Sequence, residues 1–187
     1  MSTIYIPADS VELEGELILP PAVKGVVIFA HGSGSSRLSP RNLFVAQILQ
    51  QSGIGTLLFD LLTRDEDLDY TMRFDIDLLT QRLFAATALQ AAAEKDNQIS
   101  VVVSRGGRPD LAGEMALQKV TAPTLLIVGS ADNGVIELNQ RAFEKLHCEK
   151  KLTFIPGATH LFEEPGALEQ AAQHAVNWFL KYLTMRR

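Results

Sequence analysis

Five short, uninterrupted apolar runs constrain this chain more than any other feature. They are GVVIFAHG (25–32), GTLLFDL (55–61), ISVVVS (99–104), PTLLIVG (123–129) and KLTFIPG (151–157), each bounded by turn residues. Apolar runs of that length without polar alternation suit strands buried on both faces, as in a parallel sheet covered by helices. Amphipathic segments lie between them. PRNLFVAQILQQSG places Pro40 near a helix start, and Gly53 is predicted to close that helix in the left-handed conformation. FDIDLLTQRLFAATALQAAAEKDN sets Ile76, Leu79, Leu83, Ala86, Leu89 and Ala93 along one face, and IELNQRAFEKL and GALEQAAQHAVNWFLKYL carry similar stripes. Strand and helix in alternation predict an α/β fold built on a doubly wound, mostly parallel sheet. Ahead of it, STIYIPADSVELEGELILPP alternates apolar and polar residues around Asp9-Ser10, the pattern of an antiparallel hairpin with one face in water.

Composition narrows the function classes. At 187 residues with 47% apolar content, the chain fits one domain spanning 1–187. The net charge of −5 is spread without a basic arm or stripe, which argues against a nucleic-acid partner. No apolar run is long enough to span a membrane. The single cysteine, Cys148, forbids an intramolecular disulfide and suits a reducing cytoplasm, and MSTIYIPADS has no secretory pattern.

In a parallel sheet all strands point their C-terminal ends at one edge, where ligands bind. The residues just past each run are therefore the ones to read for chemistry. They are His31-Gly32-Ser33-Gly34, Asp60-Leu61, Ser104-Arg105-Gly106-Gly107, Gly129-Ser130-Ala131-Asp132 and Gly157-Ala158-Thr159-His160. Among them, Asp132 and His160 supply the carboxylate and imidazole that a nucleophilic hydrolase uses to orient and run a base. Their order, acid before histidine, is the order of the α/β-hydrolases.

HGSGSSRLSPRN, VVSRGGRPDLAG, APTLLIVGSAD and IPGATHLFEEPGALE together resemble the dienelactone-hydrolase branch of the α/β-hydrolases, and the likeness runs along nearly the whole chain. Some members of that group are fused to a phosphoribosyltransferase domain. The resemblance implies hydrolysis of a carboxylic ester or lactone, with a small-molecule substrate and no metal or organic cofactor. It also implies Asp132 as the acid and His160 as the base. HGSGSSR then matches the small-residue loop that donates an oxyanion N–H, so Gly32, Ser33 and Gly34 are the binding-loop residues and Ser33 or Gly34 the candidate donor.

One element of the family pattern is missing. Its nucleophile sits in a G-x-[SC]-x-G turn, and none of the ten serines nor the cysteine has glycine at both −2 and +2. RLFAAT joins ALQAAAEKD directly where a strand, elbow and helix are expected, a deficit of roughly 25 residues. A central strand buries five or six side chains worth about 10 kcal/mol in all. That is comparable with the whole net stability of a domain, about 5–15 kcal/mol. The expectation is that ISVVVS fills the slot beside TLLFD, or that the chain folds poorly. If it fills the slot, Ser104 is the candidate substitute nucleophile. Gly106 would help its turn, whereas Val102 stands in place of the tight-turn glycine and RPDLAG follows where a helix should start.

The remaining motifs read as structural. His31 is expected to support its turn rather than act as a base, and His147 and His174 fall on helical segments. HGSGSSR with Arg37 or Arg41 could alternatively cradle a phosphate, although it lacks the G-x-x-x-x-G-K-[ST] signature. Glu163-Glu164-Pro165 is expected to start the last helix, and Trp178 and Phe179 to pack on the sheet.

Overall fold

The computed structural model describes residues 2–32, 35–93 and 99–183. The chain divides into two compact units, 1–98 and 99–187. Each has its own sheet.

In the first unit the sheet order is β1-β2-β4-β3. Strands β1 (Ser2–Ala8) and β2 (Val11–Ile18) form the expected hairpin, paired from Ser2↔Leu17 to Ala8↔Val11 around a two-residue turn with Asp9 at φ 55°. Ile6 and Leu13 are buried on one face while Tyr5 is exposed on the other, as strict alternation requires. Strand β4 (Gly55–Phe59) is buried throughout and pairs with β2 antiparallel and with β3 (Val26–Phe29) in parallel. Gly15 faces Phe59 across the β2–β4 pair, and a Cβ there would lie 3.1 Å from the phenylalanine Cβ.

Helix α1 (Pro40–Gln51) begins with proline in its first turn. It ends as predicted at Gly53, φ 80°. The Gly53 N–H donates to Gln50 C=O and the Ile54 N–H to Leu49 C=O, both at 3.0 Å, which satisfies two terminal carbonyls and buries Ile54. After β4 the chain makes two 3-10 turns, Glu66–Leu68 and Met72–Phe74, before α2 (Ile76–Ala93). Leu79, Leu83 and Ala86 pack on the core formed by Ile6, Leu13, Leu57 and Phe59. Ile76 departs from the predicted stripe, being 47% exposed at the first turn. The side chains of Leu89 and Ala93 lie outside the described set.

In the second unit β5 (Val102–Arg105), β6 (Thr124–Gly129) and β7 (Lys150–Ile155) are parallel in the order β5-β6-β7. A 3-10 turn (Pro109–Ala112) and the short α3 (Glu114–Lys119) lead into β6, and Gly113 at φ 78° separates the two. Helix α4 (Asn133–Lys145) joins β6 to β7. Lys150 donates to Phe143 C=O and Leu146 C=O at 2.6 and 2.7 Å, closing the carbonyl end of α4 with a cation. Helix α5 (Ala167–Leu183) buries Trp178 and Phe179, with Trp178 Nε1 donating to Pro123 C=O at 3.4 Å.

The expected rearrangement does not occur. Both edges of β4 are taken, by β2 and β3, so no slot is open beside residues 55–59. Strand β5 pairs with β6 from Val102↔Thr124 to Arg105↔Ile127, and residues 99–101 are not strand. The proposed junction at Thr87-Ala88 falls inside α2.

Candidate functional site

Three parallel strands of the second unit bring their exits to one edge, and a histidine–carboxylate pair forms there. Asp132 occupies the N-cap position of α4, where an aspartate ordinarily accepts a bond from the helix's first N–H groups. Its side chain makes no cap bond. Asp132 Oδ2 instead accepts the His160 Nδ1–H at 2.8 Å. The helix start is held by the Asp132 carbonyl, which accepts from the Val135 and Ile136 N–H groups, each at 3.0 Å. With the proton on Nδ1, Nε2 carries the lone pair, which has no hydrogen-bond partner among the described residues. Asp132 is 11% exposed and His160 51%, so the carboxylate is sheltered and the imidazole's far edge is open to solvent.

Backbone contacts hold the histidine loop tightly. Gly129 ends β6, and a Cβ there would lie 2.2 Å from Ala158 O and 2.6 Å from Thr159 O, so only glycine fits. The Ala131 N–H donates to Ala158 C=O at 2.9 Å, and the Gly157 N–H to Ser130 Oγ at 2.7 Å. Glu164 leads into α5 as expected, its C=O accepting the Ala167 N–H at 3.0 Å, but its side chain has a second role. Its Oε1 accepts from the Thr159 N–H at 3.0 Å and from the Thr159 hydroxyl at 2.6 Å, bracing the residue before His160. Those bonds, the hydroxyl's first, hold its carboxyl below the ordinary glutamate range. Neither brace was legible beforehand, although Gly129 sat at a strand exit and so carried half the signal.

Ser104 lies within β5, in register with Leu126, rather than on a turn beyond the strand. Its Oγ leans over Gly107, 2.4 Å from where a Cβ would project. The turn that follows is shaped for other contacts. Gly106, at φ 58°, lies against the His160 carbonyl and the Phe162 ring, with 3.1 Å available to a Cβ from either. Arg108 binds Asp110 with two bonds of 2.8 Å, which keeps the Asp110 carboxyl low and the guanidinium high. Asn139 of α4, fully buried, donates to Gly107 C=O at 3.1 Å. Among the described residues no hydroxyl or thiol hydrogen-bonds His160, and the non-glycine residues at positive φ are Asp9, Ala22 and Phe162, none of them a serine or cysteine. Cys148 sits beside Thr124, Sγ to Oγ1 3.7 Å.

The first unit has a cleft of about 200 Å³ past β3 and β4, lined by His31, Gly32, Ser35, Asp60, Thr63 and Arg64 among others. His31 is structural there, as expected. Its Nε2 accepts the Leu61 N–H at 3.3 Å, so the proton is on Nδ1, which donates to Gly32 C=O at 3.1 Å. Asp60 accepts the Arg37 N–H at 2.7 Å and also binds the Arg37 guanidinium, which reaches Glu14 at 2.5 Å. Arg37 is thus committed to two carboxylates rather than offered to a phosphate. Gly32 lies on the cleft wall, whereas Ser33 and Gly34 lie outside the described residues. Among the described residues no cluster of three His, Cys, Asp or Glu is arranged for a metal ion, and no helix is long and apolar enough to cross a membrane.

Comparison with known structures decides the family. A dienelactone hydrolase from Anabaena variabilis is 46% identical, with a TM-score of 0.91 over 97% of this chain and 97% of its own. This chain belongs to the dienelactone hydrolase family. The family member shares its fold with Est1E from Butyrivibrio proteoclasticus, at 17% identity and a TM-score of 0.80 over 98% of this chain and all of Est1E. No family model matches it. Two Mycobacterium tuberculosis proteins (strains CDC 1551 and H37Rv), provisionally named phosphoribosyl transferases, are 47% identical to it over 205 residues. The family member spans 46% of the length of these relatives. That alignment takes in 96% of this chain, about 180 residues, so roughly 25 of its positions have no counterpart here. That number is close to the roughly 25 residues expected for one strand, elbow and helix.

Proposed function

We propose that this chain is an ester- or lactone-directed hydrolase by lineage that retains the acid and base, Asp132 and His160, and has lost the covalent nucleophile. The observation that carries this reading is the 2.8 Å Asp132–His160 bond with no hydroxyl or thiol on the ring's other side among the described residues. A base and its orienting carboxylate contribute little acyl transfer when the nucleophile they serve is gone. Its substrates are small molecules, its single free thiol suits the cytoplasm, and the two units work as one domain.

Incubation with a serine-directed aryl phosphonate, followed by intact-mass measurement, tests the reading. The expected result is no adduct, together with no burst of leaving group from an activated aryl ester. Stoichiometric labelling, at Ser104 above all, would overturn it. The cleft beside His31 favours a second reading, a non-catalytic module for a small acyl or phosphorylated ligand. Ligand binding that survives His160→Ala, with no turnover in either protein, would support that alternative.

A further inference from the structure

The pair described above has a free end. His160 Nδ1 is committed to Asp132, the ring is 51% exposed, and no hydroxyl or thiol of the described residues reaches it. The proton that Nε2 is placed to take is therefore one from water. Gly129 and Glu164 keep the ring's loop in place, so the base is oriented before any substrate arrives.

We infer that His160 activates water directly, giving slow hydrolysis of esters with good leaving groups and no acyl-enzyme. This rests on the reading that the chain has no covalent nucleophile. In the step, Nε2 takes a proton from water as the water oxygen bonds to the acyl carbon and the carbonyl electron pair moves onto its oxygen. The tetrahedral anion then collapses. The bond to the leaving oxygen breaks, that oxygen departs with the electron pair, and the imidazolium returns its proton to it. Ester and water have become acid and alcohol, and the imidazole is regenerated. Asp132 holds the ring in the tautomer this requires and stabilises the imidazolium without taking the proton. A positioned base contributes about 100- to 10,000-fold. Good leaving groups are required because water is a weaker attacker than an elbow serine.

The test uses the full chain with 4-nitrophenyl acetate. Linear release without a burst is expected, slower in deuterated water, with no acetyl adduct by mass. His160→Gln should remove about 100-fold of the protein-dependent rate. Asp132→Asn, which keeps the side chain's shape but favours the wrong tautomer, should remove at least about tenfold and abolish the downfield Nδ1 proton resonance. His147→Gln and His174→Gln should leave the rate unchanged. A rate indifferent to both His160→Gln and Asp132→Asn, with no phosphonate adduct, overturns this inference and leaves the missing-nucleophile reading standing. A burst or a phosphonate adduct overturns that reading instead. An acetylated His160 peptide would show that the ring, not water, attacks.

Discussion

Each unit of this molecule carries a histidine just past a parallel strand, and the two are held in opposite ways. His31, beyond β3, has both ring nitrogens engaged by the backbone, accepting from Leu61 and donating to Gly32. His160, beyond β7, has one nitrogen on a sheltered carboxylate and the other without a partner among the described residues. Position at a strand exit does not separate a structural histidine from a chemically available one; the partners of Nδ1 and Nε2 do. The loops around them differ in the same sense. Side-chain ion pairs hold the loop beside His31, whereas a glycine with no room for a side chain anchors the loop beside His160.

The strongest way to break this contrast is to remove the buried ion pair of the first unit. Arg82 is 6% exposed and binds Glu66 Oε1 at 2.9 Å as well as the Ala8 carbonyl. Glu66 Oε2 in turn accepts the Thr63 N–H at 2.8 Å on the cleft wall. Arg82→Leu leaves a half-sheltered carboxylate without its cation and should cost about 3–5 kcal/mol in urea unfolding. Gly129→Ala is next. The added methyl meets two backbone oxygens and should cost about 3 kcal/mol, with loss of the Asp132–His160 resonance by NMR.

The histidines themselves give a smaller, paired effect. His31→Ala deprives the Leu61 N–H of its acceptor and should cost about 1–3 kcal/mol, while His160→Ala, half exposed, should stay within about 0.5 kcal/mol. Equal losses from the two would erase the distinction. The smallest effect is a pH dependence. Because the folded-state carboxyl of Glu164 lies below its ordinary value, its contribution is present above the ordinary glutamate range. It is lost as pH falls through the depressed value. Melting temperature against pH should therefore show a shallower acid limb in Glu164→Gln than in the unaltered chain.

Most of the framework could be read from the residues. All five apolar runs contain strands, the hairpin turns at Asp9-Ser10, and Gly53 ends α1 in the predicted left-handed conformation. Asp132 and His160 were legible because strand exits and chain order restrict where such a pair can stand. The location of the gap was harder. The runs reveal which segments are strands, although of the five only β4 and β6 are buried throughout, and they do not reveal lateral order, so β5 was expected beside β4, an edge that β3 occupies. Glu164 escaped because acids ahead of a helix have an ordinary electrostatic reason to be there. Its bond to Thr159 depends on a loop conformation that no local pattern encodes.

The two shortest strands, β3 and β5 at four residues each, are also ends of their sheets. A long, flat, apolar border would recruit neighbouring chains into fibrils, and brevity is one of the standard protections against that. Keeping these borders short limits the template that the chain offers for polymerisation.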